Sequence, residues 1–403
     1  MISQLLRAPR CPATEHQGIG GLIGQRTWRR WTLSSLLGRL PIAMALPGLV
    51  LAGQAETGSL ATGARLAGVT TFCAGLCGPM RGRMLDHGEL RGALQRNCFL
   101  TGALFAVLAA CVALRMQIGV LYGLCACLGY CFSGVWGGFS ALLFAAVEAE
   151  RLRQAHFVEC LMVETSWALG PLLATILALL GGAVAVLSGT AVVAFLAGIS
   201  LIGVVRWRPG SRVRAHVLRN RGDIGVLVAM AFCVGLGFGA FESNVPQRMP
   251  QYGLSPDLGG LFLVLLAVGS MTGGIYVSLR PIRRQHAALK AAALLAVFAV
   301  LMLPSVIASS AGRYAGCLLF ASIMLVPLNG LGTSELEARI GQDQRAEAFS
   351  SYQAAMMTGG GLGTVLNGVL VGPLGAWNIP YLSIGLFLVL AVALAVAFRP
   401  KFS

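Results

Sequence analysis

Twelve apolar stretches follow one another along this chain, at 36–54, 61–80, 95–114, 118–143, 157–180, 183–205, 224–245, 257–279, 287–308, 312–334, 347–371 and 375–397. Each is near the length of about 20 residues that a helix needs to cross a bilayer's hydrocarbon core. Hydrocarbon offers no partner to a backbone N–H or C=O, so a single segment of this length satisfies its own groups only as an α-helix. The expected fold class is therefore an all-α membrane protein. Charged residues make up 11% of the chain, against roughly 25% in soluble domains, and the mean hydropathy is +0.77.

Charge gives the stretches an orientation. All but four of the 30 Lys and Arg residues fall in alternate connections, and the four exceptions, Arg65, Arg115, Arg248 and Arg313, stand near the intervening turns. Lys and Arg accumulate in cytoplasmic loops, so the pattern predicts a multi-pass protein with both termini in the cytosol. The net charge of +15 is spread between apolar spans, which argues against nucleic acid as a partner. Lipids are the expected surroundings.

Residues 1–35 lack the continuous apolar core of a secretory signal and read as a basic cytosolic tail. Six arginines between Arg206 and Arg221 mark 206–222 as a basic linker. It divides the chain into bundles of six spans, 36–205 and 223–398, with 399–403 as a cytosolic end. The halves echo each other at an offset of 192 residues, which sets Gly82 against Gly274, Arg153 against Arg345 and Phe157 against Phe349. Parallel six-helix repeats of this kind form transporters whose halves rock about a midplane site.

After the second span the chain reads Gly78-Pro79-Met80-Arg81-Gly82-Arg83-Met84-Leu85-Asp86-His87-Gly88-Glu89-Leu90-Arg91. This run resembles the signature loop of the major facilitator superfamily, with a glycine, an acid four residues on and then basic residues. It departs from that pattern at Glu89 and His87, and in the second half Ser278 stands where the acid would be. Arg39-Leu40-Pro41 in the first span, Gly170-Pro171 in the fifth and Glu242 late in the seventh extend the resemblance, which is greatest to a twelve-span branch rich in bacterial exporters. It implies two pseudo-symmetric six-helix bundles in a bacterial cytoplasmic membrane. It also implies a cytoplasmic gate formed by Gly82, Arg83, Asp86 and Arg91 with Glu148.

Acids inside the spans point to chemistry. Glu164 and Glu242 interrupt apolar runs, and a charge at the bilayer centre costs about 3 kcal/mol even on a lenient scale, so such groups face a cavity or a partner. Both are candidates for proton coupling. Glu159 and Glu335 are expected at the interface, and Arg39, at the inner end of the first span, reads either as an anchor at the interface or as a cation close to the central cavity. Tyr130, Trp136 and Trp167 offer rings to a bulky, partly apolar substrate. Glycine clusters at 235–239, 273–274 and 359–363 suit a moving interface between the halves. None precedes a Lys-Ser/Thr pair as a phosphate loop does, and the eleven cysteines lack histidines at metal-ligand spacing.

The expectation is a monomeric secondary transporter with no enzymatic activity, no cofactor and no metal. It would export a small, moderately hydrophobic compound, a drug, antibiotic, metabolite or sugar-like molecule, in exchange for protons. An importer or uniporter is the alternative within transport, and a membrane enzyme or a non-transporting sensor the alternative outside it.

Overall fold

The computed structural model describes residues 25–86, 89–147, 152–204, 222–279, 287–338 and 345–397, and their regular structure is entirely helical. In chain order the helices are α1 (Arg26–Thr57), α2 (Leu60–Asp86), α3 (Leu90–Ala113), α4 (Ile118–Phe132), α5 (Val135–Ala146), α6 (Leu152–Ser200), α7 (Gly222–Arg248), α8 (Gly259–Leu279), α9 (Ala287–Val306), α10 (Ala311–Ser322), α11 (Leu325–Ala338), α12 (Arg345–Leu374) and α13 (Ile379–Ala397). Among the described residues, 11 helical stretches have the length and hydropathy of a membrane span. One of them, Met162–Gly203, has 42 residues, about twice what a bilayer accommodates. It turns back at Gly181–Gly182, where Gly182 has φ 61° and ψ −155°, a conformation open to glycine alone. Leu177 then packs on Gly189 across the turn. Two spans therefore share α6, which makes twelve membrane-length spans among the described residues.

Helix α1 begins ten residues before the first apolar stretch, so the boundary expected at residue 35 falls inside a helix. The polar-looking segment is held by two tryptophans. Trp28 and Trp31 are buried, stack with ring centroids 5.1 Å apart, and Trp31 Nε1 donates to the Phe139 carbonyl at 3.0 Å. A hydropathy window averages those rings with the arginines around them and misses the contact.

The fourth and tenth spans are each broken in two. Between α4 and α5, Ser133 is extended and Gly134 adopts φ 84°, which stops the helix and frees the last carbonyls of α4. Neighbouring side chains take them up: Ser133 Oγ donates to the Tyr130 carbonyl at 2.6 Å and Asn97 Nδ2 to that of Cys131 at 2.6 Å. The tenth span breaks between Ser322 and Leu325, close to the position that the 192-residue offset gives for the fourth.

Among the described residues three buried clusters form, a large one from Trp28 to Val204, a second from Phe241 to Leu394 and a small one of Leu227, Ala231, Leu336 and Tyr352. The halves meet chiefly where α2 packs along α12 and where α6 packs against α8. Glycine serves both kinds of contact. A side chain at Gly361 would strike the backbone of Phe72 on α2, between the halves, whereas one at Gly239 would strike the backbone of Gly360 within the second half. The glycine clusters expected at a moving interface thus also build fixed helix pairs, because small residues let backbones approach in either setting.

At the face opposite the basic connections, α7 ends in a fully buried arginine. Arg248 donates to the carbonyls of Ser305 at 2.8 Å and Val306 at 3.3 Å and to the Tyr252 hydroxyl at 2.9 Å. Its guanidinium lies 4.5 Å from the Tyr314 ring centroid and 4.4 Å from that of Trp377. The cation sits on the negative end of α9 and against ring faces, two environments that favour positive charge. Lysine offers a point charge without the planar fork, so Arg248→Lys is expected to cost about 2 kcal/mol. Thermal unfolding in detergent measures it, and an unchanged melting temperature would show that the cage is not stabilising.

Candidate functional site

Arg39, on α1, turns inward rather than anchoring at a membrane surface. Its Nη2 contacts Glu159 Oε1 at 2.7 Å and its Nη1 donates to Ser35 Oγ at 2.8 Å, with both charged side chains almost fully buried. Ser140, on α5, donates to the same Glu159 oxygen. The assembly joins α1, α5 and α6, three helices distant in sequence. Glu159 was expected at the interface; the structure corrects this, because a buried acid is tolerated once a cation and a hydroxyl replace its water.

The aromatic candidates lie on the same cluster. The Arg39 guanidinium is 5.2 Å from the Trp136 ring centroid, and Trp136 stacks on Trp167 with centroids 5.7 Å apart and planes 14° from parallel. Trp136 Nε1 is buried and makes no hydrogen bond among the described residues. Trp167 is 38% exposed. A row therefore runs from a closed ion pair, through one indole, to a second indole that is partly exposed.

One helical turn before Trp167 stands Glu164, whose carboxyl lies beside the Ser270 hydroxyl of α8. This contact crosses from the first half to the second. Glu242, in contrast, belongs to α7, in the second half. Its neighbour Ser243 accepts a hydrogen bond from Asn367 Nδ2 of α12 at 2.8 Å, and Asn244 Nδ2 donates to the Ala376 carbonyl at 2.9 Å. Glu242 is partly buried beside this polar seam.

Tyr130 is brought to a different neighbour. Arg81 lies with its guanidinium 4.6 Å from the Tyr130 ring centroid, and its Nη2 donates to Asn97 Oδ1 at 2.7 Å. Sequence reading counted Arg81 among the loop cations, but it points back into the bundle and supports the break of the fourth span through Asn97. The signal was present only as Asn97 inside an apolar run.

The stretch that resembles a signature loop is helical as far as Asp86, the last residue of α2. What surrounds Gly82, Arg83 and Asp86, and Glu148 altogether, lies outside the described residues. Arg91 is described, and its Nη1 donates to the Val204 carbonyl at 3.1 Å.

No protein-family model matches the chain, and no curated protein sequence matches it. Solved structures do. A mutant of the nucleoside transporter NupG has a TM-score of 0.69 at 11% identity, covering 92% of this chain and 100% of its own. The human organic anion transporter MFSD10 (TETRAN) has a TM-score of 0.62 at 16% identity, covering 91% and 98%. A mutant of the peptide transporter POT has a TM-score of 0.70 at 13% identity, covering 94% of each chain.

Proposed function

From a chain with the fold of the major facilitator transporters, we propose a proton-coupled exporter of a small, moderately hydrophobic compound, working by alternating access. The observation that carries the reading is the position of Glu164, inside a span, beside Ser270 of the other half and one turn from the exposed Trp167. An acid there senses both the substrate's surroundings and the separation of the halves. Export follows when a proton entering from outside and the substrate leaving from inside compete for one cavity.

In this scheme the stacked Trp136 and Trp167 supply apolar ring area to the cargo. Glu242 provides a second titrating group in the other half. Arg39 is neutralised by Glu159 and holds the indole pair in place. The protein acts as a monomer in a bacterial cytoplasmic membrane, with both termini in the cytosol. Residues 36–205 and 223–398 are its two moving domains, joined by the 206–222 linker, and the Gly82–Arg91 segment with Glu148 closes the cytosolic side.

Reconstitution into liposomes with an imposed pH gradient, screened against a mixed compound panel, tests the proposal. Accumulation of one compound against its own gradient, abolished by a proton ionophore, is the expected result. Movement only down the solute's gradient would make the protein a uniporter, and accumulation in the same direction as the proton an importer.

A further inference from the structure

The basic face of the first half has a group of cations of which only Arg91 enters the transport scheme. Just past α6, in and after a 3-10 turn over Leu201–Gly203, Arg30 Nη1 donates to the Gly203 carbonyl at 3.1 Å and Arg91 Nη1 to the adjacent Val204 carbonyl at 3.1 Å. Cations at these carbonyls oppose the negative helix end. Each guanidinium carries five N–H groups, so one bond to a carbonyl leaves others to point outward. Arg26 lies one turn before Arg30 on the same face of α1, Arg29 is beside it, and all three are exposed. On α3, Arg96 is exposed as well, with its Nε held by the Gly92 carbonyl at 3.3 Å. Glu89, at the start of α3, is the acid at this rim among the described residues.

Directly beyond these cations the surface becomes apolar. Leu33 on α1, Leu100 on α3, Ile199 on α6 and Ile202 in the 3-10 turn after it are all exposed. Leu33 and Leu100 stand about one turn further into the membrane than Arg30 and Arg96 respectively, by helix period. The α3 and α6 walls of this surface are locked together by Phe99 against Phe195, with centroids 6.3 Å apart, and by Gln95 Nε2 donating to the Gly198 carbonyl at 3.1 Å.

The geometry points to a binding site for one anionic diacyl phospholipid, with its phosphate between Arg26, Arg29, Arg30 and Arg96 and its chains lying along α6 between α1 and α3. The occupant follows from charge and depth together. A free anion would use the cations but gain nothing from the lipid-facing apolar surface below them, and a zwitterionic lipid would bring a second cation into a rim that already has four. The chain leaves α6 towards Arg206 and Arg208 in the sequence, so a lipid here would sit where the first half gives way to the linker.

Native mass spectrometry of the delipidated protein, titrated with phosphatidylglycerol and separately with phosphatidylcholine, tests this. The triple variant Arg26→Gln, Arg29→Gln, Arg96→Gln leaves the Arg30 and Arg91 caps intact. It is expected to retain phosphatidylglycerol at least about tenfold less well than the unmodified chain, from the loss of three surface cations. A control triple, Arg280→Gln, Arg283→Gln, Arg284→Gln, removes the same charge elsewhere and is expected to leave retention unchanged. Equal losses in the two triples would reduce the effect to net charge and overturn the site, as would equal retention of phosphatidylcholine by the unmodified chain. The assay needs no substrate, so its outcome is independent of the transport proposal.

Discussion

Arg39→Ala is expected to destabilise the protein by about 3–5 kcal/mol, because it removes the Arg39 guanidinium from the buried Glu159 carboxylate. Ser140 can still donate to the carboxylate, but a neutral hydrogen bond does not replace the Arg39 charge. Glu159→Gln should cost less, since the amide oxygen can still accept from Arg39 and Ser140. The informative comparison is the double variant Arg39→Met, Glu159→Leu. Exchanging a buried pair for apolar side chains of similar volume is often neutral or stabilising, so thermal unfolding in detergent should return close to that of the parent. Transport should not return, because Trp136 loses the guanidinium 5.2 Å from its ring. A double variant as unstable as Arg39→Ala would contradict this account of the energetics. One that transports normally would show that the pair is a scaffold alone.

Glu164→Gln and Glu242→Gln are each expected to lower gradient-driven accumulation about tenfold or more while sparing solute exchange. Glutamine keeps the shape of the acid and can still hydrogen-bond, but it neither gains nor loses a proton at any accessible pH. Glu164 is the sharper case. Its carboxyl lies beside Ser270 in the other half, so loss of the charge alters both proton binding and the contact between the halves. Driven and exchange fluxes measured on the same liposomes separate the two roles. If both variants accumulated substrate like the parent, proton coupling through these acids would be wrong.

Much of the architecture was legible in the order of residues. Apolar length located the twelve spans, including the two that share α6, where Gly181-Gly182 was already a turn signal between stretches 157–180 and 183–205. The start of α1 was less visible, because Trp28 and Trp31 sit among arginines and only their burial makes that segment helical and fixed. The break in the fourth span was written as Ser133-Gly134, a pair that commonly interrupts helices, yet it passed inside a run whose average remained apolar.

Of the candidate site, sequence placed Arg39, Trp136, Trp167 and Glu164 within spans, and the fold gathers the first three into one row with Glu164 beside it. It misjudged Glu159, whose position near the start of its span made an interfacial role the simplest expectation. It also left Arg81 and Arg248 among surface cations, although both are drawn into their bundles by ring faces and by carbonyl or amide oxygens.

Hydropathy and charge are sums over neighbouring residues, and a bilayer reads them in that form, one segment at a time. The sequence by itself therefore determined residence in the membrane and the number of spans. Which polar groups meet inside was decided by tertiary structure alone. Arg39 and Glu159 lie 120 residues apart, and their contact depends on how α1 and α6 are rotated and packed, for which no local window holds a record. A buried charge needs a partner; only the assembled bundle selects which one.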